Sequence, residues 1–315
     1  MPVDIVQSSE EDGSSQQHGT DAGLPDAMVY FPARRGFLAE FNILVCHYAY
    51  ALSVGEDAFL DDSRAAVFWL DIFEPCLRFR SELIEQNYGR VTLCGSKVAP
   101  EAWNSRRRWV QRACNDDDVV NIPALDFQGT WKDLLFDVTK RLFLPIPEIR
   151  AKAAECLIAL GLEPGAFGAI HIRRGDKTDG YMAANGTLRV EGEAIDLDLY
   201  IAALKNTAPE IKRIFIMTDD YREVVDARRR YPSLDFATLC EPTEEGYRNH
   251  DFRGLTHKER VSAIRRLVTE MLISTHSAAF AGAYLSNVSR TVAALHPIPT
   301  ACCSVDTQVR WIAMP

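Results

Sequence analysis

The chain has 315 residues, 47% of them hydrophobic, which is material for two cores of roughly 150 residues each. Its 44 acidic side chains outnumber 35 basic ones, and the formal net charge of -9 disfavours nucleic acid or an anionic membrane as a partner, since those are met by clustered excess Lys and Arg. Any anionic ligand must therefore be held by a local group of cations.

Residues 1–25 are polar and acidic with almost no large apolar group, and are expected to form a disordered tail. A first domain over 26–162 opens with a strand at 27–31, a turn carrying Arg34, Arg35 and Gly36, and a helix over 37–54 that stops at Gly55. A strand, glycine turn and helix in this order present backbone N–H groups and a positive helix end to an anion, and also fit an ordinary βα junction with solvated arginines. A strand at 58–60 follows, then a short helix at 69–76 closed by Pro75, and a basic helix at 105–114 that reads as a solvated face or an acceptor contact. Helices at 131–143 and 149–160 flank a break marked by Pro145 and Pro147.

The second domain, 163–315, alternates more regularly. Strands are expected at 167–172, 213–217, 234–238 and 278–281, with helices at 196–207, 221–230, 257–272 and 286–295. Nearly continuous apolar strands between helices imply an α/β fold with a parallel sheet covered on both faces. Ligands of such sheets bind outside the carboxyl ends of the strands.

Those ends carry a converging polar set. The stretch GAIHIRRGDK supplies His171, Arg173, Arg174, Asp176 and Lys177; the next strand supplies Thr218, Asp219 and Asp220; the last supplies Gly282, Ser286, Asn287 and Arg290. Planar guanidinium forks at a strand end suit bidentate capture of a phosphate or diphosphate. Arg173 and Lys177 would neutralise that charge, and Ser286 with Asn287 would donate to its oxygens from a helix N-terminus. The Asp219–Asp220 pair reads either as a divalent-metal site or, for Asp220, as the N-cap of the following helix. Two glycosylation sequons occur, at Asn185 and at Asn287, and only Asn185 lies clear of the polar set.

The eight cysteines include no C-x-x-C pair, which argues against zinc, and their even number fits a reduced or an oxidising compartment. No run of about 18 apolar residues and no basic-then-apolar leader is present. As given, the sequence reads as cytoplasmic with no membrane segment, or as Golgi or ER lumenal if an anchor has been trimmed away.

HIRRGDK at 171–177, FIMTDD at 215–220 and EMLISTHSAAFAGAYLSNVSR at 270–290 resemble, in order and spacing, the three motifs of the α1,6-, α1,2- and protein O-fucosyltransferase superfamily. The nearest likeness is to the α1,6 branch. GFLAEFNILVCHYAYAL at 36–52, LDDS at 60–63 and WLDIFEPC at 69–76 also resemble its N-terminal segments, so the likeness touches most of 27–295. It implies a GT-B fold, two Rossmann-like domains facing across a cleft, and an inverting, metal-independent transfer of fucose from GDP-fucose to a glycan or protein hydroxyl. No cofactor and no metal are implied.

Carried over by position, the resemblance implies Arg173 on the β-phosphate with Arg174 supporting it, His171 and Glu270 near the guanosine, and Ser286 with Asn287 on the diphosphate. Asp219 and Asp220 would shape the nucleotide pocket, and Gly36 would let the N-terminal loop close over the donor. The α1,6 branch carries an acid four residues beyond the motif lysine as the proposed base; here that position is Tyr181. Asp179 and then Asp176 stand nearest to the missing acid. Glu270 and Asn287 replace the usual Asp and Gln. A GT-B transferase of another nucleotide sugar, and a catalytically inactive GDP- or glycan-binding domain, remain as alternatives.

Overall fold

The computed structural model describes residues 24–32, 36–85, 87–94, 119–123, 126–182, 187–190 and 192–306. Residues 1–23 of the expected tail, Arg34, Arg35, the basic stretch 105–114 and the sequon residues Asn185 and Gly186 lie outside the described residues. The chain divides into two compact units, Met1–Leu144 and Pro145–Pro315.

In the first unit, strands β1 (Ala27–Tyr30), β2 (Asp57–Leu60), β3 (Arg78–Phe79) and β4 (Val91–Cys94) form a parallel sheet in the order β3-β2-β1-β4. Helix α1 (Phe37–Ser53) packs on β1 and β2, and Tyr30 at the end of β1 donates its hydroxyl to the buried Glu40 at 2.9 Å. The helix expected at 69–76 is a single 3-10 turn, Trp69–Asp71. Trp69 and Phe73 turn together into a cluster with Phe41 and Phe143, with ring centroids 4.6 to 6.1 Å apart, and Pro75 ends any continuation. An antiparallel hairpin of β5 (Val119–Ile122) and β6 (Phe127–Thr130) leads into α2 (Trp131–Leu142), which starts on a capping box between Thr130 and Asp133 and packs against α1.

The second unit begins with α3 (Pro147–Ala159). Pro147 opens this helix rather than breaking it, because its missing N–H is one the first turn leaves unpaired anyway. The expected domain boundary at 162/163 thus lies one helix beyond the division at 144/145. Next come β7 (Gly168–Ile172), a small antiparallel pair of β8 (Tyr181–Met182) and β9 (Leu188–Arg189), α4 (Leu197–Thr207), β10 (Arg213–Thr218), α5 (Tyr221–Arg230) and β11 (Asp235–Ala237). The chain closes with α6 (Asn249–Gly254), α7 (His257–Thr275), β12 (Ala279–Gly282), α8 (Asn287–Leu295) and β13 (Cys302–Ser304). Helix α3 packs on α7, and α7 starts on a second capping box, Thr256 with Glu259.

The five large strands are parallel in the order β11-β10-β7-β12-β13. The chain winds from β7 outward to β10 and β11, then crosses back to β12 and β13, so the direction of winding reverses between β7 and β12. That reversal opens a crevice at the carboxyl ends of these two strands. Strand alternation assigns the faces: Ile170, Ile172, Ile214, Ile216, Ala279 and Ala281 meet α4 and α5. Ala169, His171, Phe215, Met217 and Phe280 are buried on the opposite side, where α7 and α8 pack. None of the seven cysteines among the described residues is in a disulfide. No described helix is long and apolar enough to cross a membrane.

Candidate functional site

Beyond Ile172 the extended backbone sends Arg173 and Arg174 to opposite sides of the sheet. Arg174 follows Ile170 and Ile172 to the α5 side, where its Nε donates to Glu223 Oε1 at 2.7 Å and its Nη2 to the Ile195 carbonyl at 2.9 Å. It braces β7 against α5. Arg173 goes the other way, giving Nη2 to Asp176 Oδ1 at 2.7 Å and Nη1 to Asp219 Oδ2, with the Tyr247 ring centroid 4.7 Å from its Cζ. Asp219 also accepts the backbone N–H groups of Arg174 and Tyr247, both at 2.8 Å. Its carboxylate therefore pins the arginine turn, the Arg173 fork and the loop after β11 at once.

Two glycines make that approach possible. Gly175 has φ +64° and Gly246 φ +100°, a region in which side chains are strained. A Cβ on Gly175 would lie 2.7 Å from the Tyr247 nitrogen and closer still to its carbonyl oxygen, and one on Gly246 would lie 2.8 Å from Gly175 Cα. The two turns touch backbone to backbone and are stitched by Gly246 N–H to the Asp219 carbonyl at 2.8 Å and Asp176 N–H to the Tyr247 carbonyl at 3.0 Å. Asn249 N–H donates to Asp176 Oδ2 at 3.0 Å.

The local cations that the acidic chain needs are here. Burial and then the field of Arg173, with Arg290 adding to it and Asp176 opposing it, hold the Lys177 ammonium below the usual lysine value. Arg290 itself is buried on α8 and donates Nη2 to Asn287 Oδ1 at 2.6 Å. Ser286 stands at the N-cap of α8 with its side chain making no cap hydrogen bond, and Asp306 holds the preceding turn by accepting from Tyr284 N–H at 2.6 Å and Leu285 N–H at 2.7 Å. Arg173, Lys177, Arg290 and the N-terminus of α8 thus flank the crevice between β7 and β12.

His171 is enclosed beneath this group, with Nδ1 2.7 Å from Ser289 Oγ, and burial followed by the Arg173 charge lowers its pKa to about 3. It stays a neutral ring packed under α8. Glu270 on α7 is 5% exposed, and burial pushes its carboxyl up to about 8 against the pull of Arg266, whose Nε is 3.8 Å from Oε1. That Oε1 accepts no hydrogen bond among the described residues, an unusual state for a buried carboxyl oxygen.

The two readings of Asp219–Asp220 separate. Asp220 caps α5, accepting from Arg222 N–H at 3.0 Å and from Arg222 Nη2 at 2.5 Å. Both carboxylates are taken up by N–H donors, Asp219 by Arg173, Arg174 and Tyr247 and Asp220 by Arg222. Asp179 is exposed, its Oδ1 accepting from Thr178 Oγ1 at 3.2 Å, whereas Asp176 is pinned by Arg173 and Asn249. Gly36 precedes α1 in the first unit with φ −59° and no described atom within 4 Å of an added Cβ, so its backbone conformation does not demand glycine.

No family model and no curated protein matches the sequence. Solved structures do match in fold. The fucosyltransferase NodZ from Bradyrhizobium aligns over 86% of this chain and 93% of its own at TM-score 0.53 and 12% identity. A mutant of Arabidopsis thaliana FUT1 in complex with GDP aligns over 90% and 71% at TM-score 0.51 and 8% identity. POFUT1 in complex with GDP aligns over 88% and 98% at TM-score 0.50 and 11% identity. The fold is GT-B.

Within this GT-B fold, the second unit brings together Arg173, Asp176, Lys177, Asp219 and Arg290, while Arg174 and Asp220 turn to bonds with α5. Sequence reasoning passed over Tyr247, Gly246, Glu223 and Asp306. The first two lie in a loop with no periodicity, and only Gly246 beside an aromatic residue hinted at a close backbone approach.

Proposed function

We propose that the protein is a glycosyltransferase that moves fucose from GDP-fucose to a hydroxyl of a glycan or protein, with inversion and without a metal ion, and that its motifs stand nearest to the α1,6 branch. The observation that carries this reading is Arg173, a largely buried guanidinium held by Asp176 and Asp219 at the strand end where the winding reverses, with Lys177 and Arg290 beside it. Fixed cations in a partly dry site stabilise a departing nucleoside diphosphate, and they do so without reorganising at the moment of reaction.

In the proposed reaction the bond from fucose C1 to the β-phosphate oxygen breaks as the acceptor oxygen attacks C1 from the opposite face. The electron pair leaves with GDP, whose new charge falls to Arg173 and Lys177. The acceptor proton passes to Asp179, which is exposed and accepts a hydrogen bond from the Thr178 hydroxyl, in preference to Asp176, which Arg173 and Asn249 pin. Ser286, Asn287 and the first turn of α8 bind the diphosphate oxygens, and Glu270, whose Oε1 accepts no hydrogen bond among the described residues, offers that oxygen to donors on the guanine edge. Asp219 serves this site as the anchor of Arg173.

Tyr181, at the position where the α1,6 branch carries its acid, favours the alternative of an inactive GDP-binding domain. A donor panel separates the readings. Release of fucose from GDP-fucose, but not of sugar from GDP-mannose or UDP-sugars, is the expected result. Hydrolysis of a UDP-sugar alone overturns the donor assignment, and GDP binding with no turnover of any donor favours the inactive domain.

A further inference from the structure

The loop between β11 and α6 contains none of the motif residues, yet at its end, over residues 246–249, its backbone is tied to the arginine turn and to the Asp219 that holds that turn. Gly246 N–H and Tyr247 N–H both end on Asp219, the Tyr247 carbonyl accepts from Asp176 N–H, and Asn249 N–H reaches the Asp176 carboxylate. The contact between Gly175 and Gly246 leaves no room for a side chain on either residue. What this close approach delivers is one aromatic ring. Tyr247 is half-buried, its ring covers the Arg173 guanidinium at 4.7 Å, and Phe252 backs it with centroids 5.7 Å apart.

We propose that Tyr247 is a positioning residue of the diphosphate site, acting through Arg173. Asp176 and Asp219 hold two of the five N–H groups of the fork and so fix its direction, but two hydrogen bonds leave it free to tilt about the line joining them. A ring on one face removes that freedom, because the cation is attracted to the π face and the plane must lie along it. The remaining N–H groups then stay aimed away from the ring, toward the crevice. Burial raises the phenol to about 12, so the ring carries no charge at working pH and does not compete with phosphate for the arginine.

This inference rests on the second unit being a diphosphate site, and the test keeps the two apart. Affinities for GDP and for inorganic pyrophosphate are measured by calorimetry on the full chain and on Tyr247→Phe, Tyr247→Trp and Tyr247→Leu. Phe and Trp keep a π face and should bind both ligands within about threefold of the native protein, whereas Leu should weaken both by roughly five- to thirtyfold. In an Arg173→Ala background Tyr247→Leu should add nothing, a coupling that a merely structural role would not produce. Native-like binding by the Leu variant, or equal losses in the Arg173→Ala background, overturns the inference while leaving the site intact. A loss confined to GDP also overturns it, since the ring would then act on the nucleoside. If the native chain binds neither ligand, the reading of the site fails and the role of Tyr247 with it.

Discussion

Replacing Glu270 by glutamine removes one ionisation from the interior of the second unit while keeping the side chain's shape. The native carboxyl sits 5% exposed, and burial lifts it from 4.5 to about 8. The folded protein holds this proton more tightly than the unfolded chain does. The contribution to stability is therefore complete below the unfolded value and drains away as pH rises from about 4.5 toward 8, after which it is flat. A shift of this size, already net of the pull of Arg266, has a ceiling on the order of 5 kcal/mol, and with water entering and the interior relaxing around the carboxylate roughly half of that should be realised. Urea unfolding at pH about 5.5, 7 and 8.5 reads it out as the free-energy difference between native and variant. The Glu270→Gln protein should gain on the native one by roughly 2 to 3 kcal/mol across that range. Two parallel curves would refute the argument. If the same carboxylate accepts from guanine, native GDP affinity should rise toward pH 8 while that of the glutamine variant stays level.

Other substitutions probe the site's construction. Gly175→Ala forces a Cβ onto the Tyr247 backbone at φ +64°, and should cost roughly 2 to 4 kcal/mol by chemical denaturation and weaken GDP binding; native stability would show that the two turns do not need their contact. Asp179→Asn should lower the rate of fucosyl transfer on the order of a hundredfold with GDP affinity unchanged. Asp176→Asn should instead weaken GDP binding, since it loosens Arg173. The reverse pattern would make Asp176 the base.

The second unit was legible because its strands are almost wholly apolar: GAIHI, RIFIM and AFAG between amphipathic helices leave one architecture, and the polar residues at their ends fall where the sheet reverses. The division of work between Arg173 and Arg174 follows from alternation along β7, but naming the partners required knowing which helix covers which face. β4 escaped because VTLC is short, holds a threonine and is only half-buried over most of its length. The turn at Trp69–Asp71 was read as a longer helix because apolar spacing cannot distinguish helix from an aromatic cluster gathered by Phe41 and Phe143. Glu270 was found by resemblance alone; its orphaned oxygen depends on burial, which no local pattern reveals. Tyr247 lies 74 residues beyond Arg173, and no sequence period links them.

The central claim is that Arg173 anchors a nucleoside diphosphate without help from a metal. Calorimetric titration of the native chain and of Arg173→Ala with GDP and with UDP, in the presence of a chelator, tests it most directly. The native protein should bind GDP and prefer it to UDP, and Arg173→Ala should bind GDP roughly a hundredfold more weakly, still measurably, while remaining folded. GDP binding that persists undiminished in Arg173→Ala, that appears only when divalent metal is restored, or that is surpassed by UDP would contradict the account.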